Sequence, residues 1–124
     1  MIIRAMHSAG YRVVASDTHY FQLGNVRLKK PPALDRHQPD LVGIRSRAPR
    51  LSIGEAKTTN DLRTRHTREQ LWDYAQVRDA VVIIAIPEGA ATTYLKVATE
   101  IGLSNLPQIR VLKVPEALIS HAEA

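Results

Sequence analysis

Apolar residues at positions 2, 3, 5, 6 and 9 fall on one helical stripe, and Gly10 follows as a stop. The pattern therefore predicts a helix over 1–9. Residues 11–15 (YRVVA) are β-rich and predict a first strand. Residues 16–38 are polar and contain Lys29-Lys30-Pro31-Pro32, which suits a loop with an edge strand over 20–28. Residues 40–47 (DLVGIRSR) and 51–58 (LSIGEAKT) alternate around Ala48-Pro49-Arg50 and predict a hairpin. A polar connection over 59–66 leads to Thr67-Arg68-Glu69-Gln70, which has the form of a capping box. It opens a helix reaching to 79, with Leu71, Tyr74, Ala75 and Arg78 on one stripe. Residues 80–86 (AVVIIAI) are continuously apolar, as in a strand buried on both faces. A helix over 88–102 closed by Gly102, a strand over 109–114 and a short C-terminal helix or tail over 115–124 complete the chain. The order is αβββαβαβ, a single α/β domain over 1–124 with a mixed sheet flanked by helices.

Composition narrows the classes. The 124 residues include no cysteine, which excludes a disulfide framework, a thiolate zinc site and a cysteine nucleophile. The first apolar run, Met1-Ile2-Ile3, is broken by Arg4 and is too short for a signal peptide. No run approaches the roughly 18 apolar residues of a membrane span. These features predict a soluble cytoplasmic protein of a prokaryote, or of a phage in its host. The five histidines show no zinc spacing, and the glycine patterns of phosphate loops, dinucleotide folds and esterase elbows are missing.

Charge is concentrated. Eleven Lys and Arg stand against four acids between residues 27 and 68, a local charge of +7, while the rest of the chain carries −2. A basic third of this kind fits a solvated face or the electrostatic footprint of a polyanion.

The chemistry sits inside that stretch. In a strand, residues i and i+2 share a face, so Glu55 and Lys57 point the same way, in line with Ile53 and Leu51. The hairpin brings Asp40 beside them, and Gln70 opens the next helix. Two carboxylates and an ammonium then converge. Mg²⁺ prefers oxygen ligands and is commonly held by one or two carboxylates plus phosphate oxygens. The Ala56 backbone carbonyl offers a further oxygen. Lys57 and Gln70 are placed to orient a water or a phosphate. Arg45, Arg47, Arg63, Arg65, His66 and Arg68 are the candidate phosphate contacts.

Pro39-Asp40, Glu55-Ala56-Lys57 and Gln70, in this strand and helix order, resemble the PD-(D/E)XK nuclease superfamily, the restriction-endonuclease-like and Holliday-junction-resolvase-like proteins. The resemblance covers most of the chain, since αβββαβ is also that family's core. It implies a Mg²⁺- or Mn²⁺-dependent DNA endonuclease that leaves a 5′-phosphate, acting on duplex or branched DNA. It further implies Asp40 and Glu55 as metal ligands together with the Ala56 carbonyl, Lys57 as the catalytic lysine and Gln70 as the accessory residue of the helix. A homodimer is expected, because two sites address two strands; the helix around Trp72 and the strand at 109–114 are the candidate surfaces. Resolvase-like members carry a Glu in the first helix, whereas residues 1–16 here hold no acid. That departure keeps a second reading in view, a catalytically inactive nucleic-acid-binding module on the same fold.

Overall fold

A computed structural model describes residues 1–16, 22–23, 26–27 and 37–123, with only the backbone described at 22–23 and 26–27. The elements run α1 (Ile2–Ser8), β1 (Arg12–Ser16), β2 (Gln22–Leu23), β3 (Val26–Arg27), β4 (Leu41–Ile44), β5 (Leu51–Ala56), α2 (Thr59–Leu62), α3 (Arg65–Ala75) and β6 (Ala80–Pro87). A 3₁₀ turn at Glu88–Ala90 leads into α4 (Ala91–Glu100), then β7 (Ile109–Val114) and a second 3₁₀ stretch, Glu116–His121. Five strands form one mixed sheet in the order β1-β4-β5-β6-β7. The β1, β4 and β5 strands pair antiparallel, and β5, β6 and β7 pair parallel. The α/β reading and the predicted hairpin are both present in this sheet.

The β6 strand shows why its run is apolar throughout. Val82, Ile84 and Ile86 pack with Leu62, Leu71, Tyr74, Tyr94 and Ala98 under α2, α3 and α4. Ile83 and Ala85 pack with Ile2, Ile3 and Met6 of α1 on the opposite face. A strand covered on both faces cannot alternate with polar residues. Helix α1 lies directly on β5: a Cβ built at Gly54 would stand 2.8 Å from Ile2 and 3.0 Å from Met6.

Three expectations are corrected. The edge strand expected over 20–28 is not part of the main sheet: among the described residues, β2 and β3 pair with each other as a separate two-stranded ladder. The other residues of that span lie outside the described residues, as do Lys29, Lys30 and Arg36. The capping box is not formed by Thr67 and Gln70. Thr64 is extended (φ −82°, ψ 149°) and its hydroxyl accepts the Thr67 N–H, so α3 starts at Arg65 and Gln70 turns inward. A capping box exists earlier, where the Thr58 hydroxyl accepts the Asp61 N–H and the Asp61 carboxylate accepts the Thr58 N–H. It folds the polar connection into α2. Finally, α3 ends at Ala75 rather than 79, with Gln76 as its C-cap; Asp79 itself adopts φ 55°, a left-handed conformation that Asp tolerates and a helix does not contain. Arg78 is therefore exposed beyond the helix.

Among the described residues no helix is long and apolar enough to cross a membrane.

Candidate active site

Pairing of β4 with β5 brings the carboxylates together. The β4–β5 pairs run Leu41↔Gly54, Val42↔Ile53 and so on. Beyond Leu41, Asp40 sits at the bend that leads into β4, within side-chain reach of Glu55. The Asp40 and Glu55 carboxyls meet side by side, close enough to share a hydrogen bond.

The β4–β5 ladder ends at Leu41↔Gly54, and the residue before Asp40 is Pro39. Proline has no N–H with which to continue the ladder. The Ala56 N–H turns to the Asp40 carboxylate instead, donating to Oδ2 at 3.0 Å. The Pro39-Asp40 dipeptide thus ends the ladder and anchors Asp40 beside Ala56.

Helix α3 secures the other side. Gln70 and Tyr74 are four residues apart and lie on one face of it. They meet Glu55 on β5 and Lys57 just past the end of that strand. Lys57 Nζ donates to Gln70 Oε1 at 2.5 Å, and Tyr74 Oη donates to Glu55 Oε1 at 3.0 Å. Gln70 also reaches the Tyr74 phenol oxygen. Lys57 Nζ lies 3.7 Å from Glu55 Oε2, close enough for attraction but not for a good hydrogen bond. The four side chains close a ring around the Glu55 carboxyl, which is 2% exposed.

Burial is the main influence on that carboxyl, and the Asp40 charge adds to it. Together they push Glu55 up to about 8, against the opposing pull of Lys57. The Glu55 carboxyl therefore keeps its proton at neutral pH in the metal-free protein. The same burial, reinforced by the Glu55 charge, raises Tyr74, so its phenol remains a donor. A buried carboxyl beside a second carboxylate is a place where a divalent cation can take the proton's role. With the Ala56 carbonyl the pair supplies the few hard oxygens that Mg²⁺ takes from protein while retaining waters. Among the described residues no group of three acidic or histidine side chains converges as a metal-binding cluster, so carboxylates and imidazoles alone would not fill the coordination sphere.

Sequence pattern alone places Tyr74 only as a core or interface residue. Its role is carried by the i+4 spacing from Gln70, which mirrors the i+2 spacing of Glu55 and Lys57. Behind it stands His37, 5% exposed, whose Nε2 lies 2.7 Å from Asp73 Oδ2. The His37 ring meets Tyr74 and His66 edge-on, with centroids at 5.8 and 5.6 Å. His37 is therefore a packed support for Tyr74, not a surface contact. Tyr74→Phe is expected to keep the fold, lower stability by about 1–2 kcal/mol and weaken divalent-metal binding about 10–100-fold. Urea denaturation and Mg²⁺ titration would check both; unchanged metal affinity would remove Tyr74 from the site.

The candidate phosphate contacts separate into two groups. Arg63, Arg65, His66 and Arg68 border the start of α3, near Gln70. Arg45 and Arg47 lie at the turn end of the hairpin, away from Asp40 and Glu55. Arg45 is tied into that turn: its guanidinium donates to the carbonyls of Ala9 (2.6 Å) and Pro49 (2.9 Å) and lies 4.3 Å from the Tyr11 ring centroid. Trp72 is 47% exposed on the outer side of α3.

Comparison with protein-family models, with curated proteins and with solved structures finds no match for this chain.

Proposed function

We propose that this chain is a divalent-metal-dependent DNA endonuclease with a PD-(D/E)XK-like centre. Asp40, Glu55 and the Ala56 carbonyl would hold Mg²⁺ or Mn²⁺. The observation that carries the reading is the Asp40 carboxylate, anchored on the Ala56 N–H, lying against Glu55 beside the Lys57–Gln70 contact. When bound, the metal supplies polarisation of the phosphoryl group and a more acidic water. Gln70 fixes the Lys57 ammonium through one of its three N–H groups, leaving two to meet a phosphate oxygen as negative charge develops on it. Tyr74 orients Glu55, and the Ala56 N–H orients Asp40, so both carboxylates face the substrate in set positions. The arginines that begin α3 supply phosphate contacts without reading bases. A homodimer, using exposed Trp72 or the edge strand β7, would bring a second site to the other DNA strand.

The test is cleavage of matched linear, nicked, single-stranded and four-way-junction DNA with Mg²⁺ or Mn²⁺. Asp40→Ala and Lys57→Ala are each expected to lower the rate about a hundredfold or more while the protein stays folded. Cutting retained in both variants, with contaminating nuclease excluded, would overturn the reading. One feature favours the second reading, a binding module without catalysis: the acid-free segment 1–16 supplies no third carboxylate. Steeply salt-dependent DNA binding by a folded protein that never cuts would select it.

A further inference from the structure

The carboxyl ends of the parallel strands β5 and β6 lie at one edge of the sheet, where ligands of open α/β sheets usually bind. Glu55 near the end of β5, and Lys57 just past it, mark that edge. Helix α4 begins at the same edge, separated from the end of β6 by the three residues Glu88–Ala90. Between the start of α3 and α4 lies a cleft of about 330 Å³, walled chiefly by charged and hydroxyl side chains. Arg63 enters it from the α2–α3 turn, Arg68 from α3, and Lys96 with Thr92 and Thr93 from α4. Three cations from three elements thus face one hollow.

Among the described residues the only acid there is Glu100, and Arg68 Nη1 holds its carboxylate at 2.5 Å. The remaining charge is that of Arg63 and Lys96. Arg63 spends one N–H on Asn60, at 3.3 Å, and is otherwise exposed to solvent. Among the described residues Lys96 has no ion pair, and neither threonine hydroxyl has a hydrogen-bond partner. Two unpaired cations and two spare hydroxyls in one concavity match a tetrahedral oxyanion of charge −1, which offers acceptors to all four. A phosphodiester is such an anion, and it repeats along a strand. The second basic hollow, lined by Arg4, Arg110 and His121, belongs to α1, β7 and the C-terminal 3₁₀ stretch, away from α3 and α4.

We infer that the cleft between α3 and α4 holds a backbone phosphate of the bound nucleic acid, a short distance along the strand from the phosphate met by Lys57. Arg63 and Lys96 are its charge contacts, Thr92 and Thr93 its hydrogen-bond donors, and the Arg68–Glu100 pair its side wall. The inference rests on the nuclease reading for its partner.

Binding of a labelled DNA duplex in EDTA, measured from 50 to 300 mM salt, tests it alongside Mg²⁺-dependent cleavage by the wild type. Arg63→Ala and Lys96→Ala together are expected to lower the slope of log K against log salt by about 1.8, two contacts at roughly 0.9 each. Arg110→Ala should leave the slope alone. A wild type that cuts, with an unchanged slope in the double variant, overturns the cleft and leaves the nuclease reading standing. A lowered slope in a protein that never cuts supports the cleft and removes the nuclease reading. Inorganic phosphate is the second probe. Thermal stabilisation by phosphate that the double variant loses, with no change of slope on DNA, overturns the backbone assignment in favour of a free anion.

Discussion

Glu55→Gln is expected to make the metal-free protein more stable at pH 8 while abolishing metal-dependent cleavage. The sign follows from the direction of the shift. In the unfolded chain Glu55 loses its proton near the ordinary value of 4.5, and in the folded protein near 8. Between those values the folded state holds a proton that the unfolded state has released, so rising pH favours unfolding. The stability associated with Glu55 is fully present below about pH 4.5 and is lost progressively as pH approaches 8. Each unit is about 1.4 kcal/mol, so the loss is on the order of 3 to 5 kcal/mol. The substituted amide carries no charge, and its oxygen can still accept from Tyr74. The variant's denaturation midpoint should therefore change much less between pH 5 and pH 8 than the wild type's, in EDTA. A wild type whose stability does not fall over that range would show that the carboxyl is already ionised in the folded state. The variant also removes a metal ligand, so a more stable protein with no cutting is the joint signature of a carboxylate kept for function at a cost to the fold.

The second large effect is at Gly54, where no chemistry is placed. A Cβ at this position would stand 2.8 Å from Ile2 Cγ2, 3.0 Å from Met6 Cε and 3.1 Å from Leu41 Cβ, all within a close-packed core. Gly54→Ala is expected to lose about 1–3 kcal/mol, and Gly54→Val more, because α1 must lift from the sheet or the β4–β5 pair must shift. Chemical denaturation gives the loss directly. Equal stability of the Val variant would mean that α1 does not rest on β5 as described. Since Glu55 is the next residue, displacement of the strand should lower cleavage as well.

Much of this arrangement is legible in the amino-acid sequence. The alternation of 51–58, the apolar run 80–86 and the turn Ala48-Pro49-Arg50 give the hairpin and the buried strand, because each follows from a local period and a local turn. The shared face of Glu55 and Lys57 follows from the same period. What cannot be read locally is which residue of another element arrives opposite. The i+4 pair Gln70 and Tyr74 is visible as a helical stripe, but only packing of α3 on β5 shows that both members meet the charged pair. Arg45 is a similar case: a basic residue in a basic stretch gives no sign that its guanidinium will donate to the carbonyls of Ala9 and Pro49. The start of α3 is ambiguous in the sequence because two threonines, Thr64 and Thr67, both suit a cap. The inward turn of Gln70 towards Lys57 decides between them.

The proline at 39 has one more consequence, for how the protein breathes. Amide protons within a sheet exchange with solvent only when strands separate. The Ala56 amide is held by a side chain, so its exchange reports the position of Asp40 and not the opening of β4 from β5. A single backbone proton therefore records whether the carboxylate is seated, in solution and with no substrate added. The amides of Leu51 and Lys57 on the same strand, bonded to the carbonyls of Asp79 and Ala85, serve as the clock for the sheet itself.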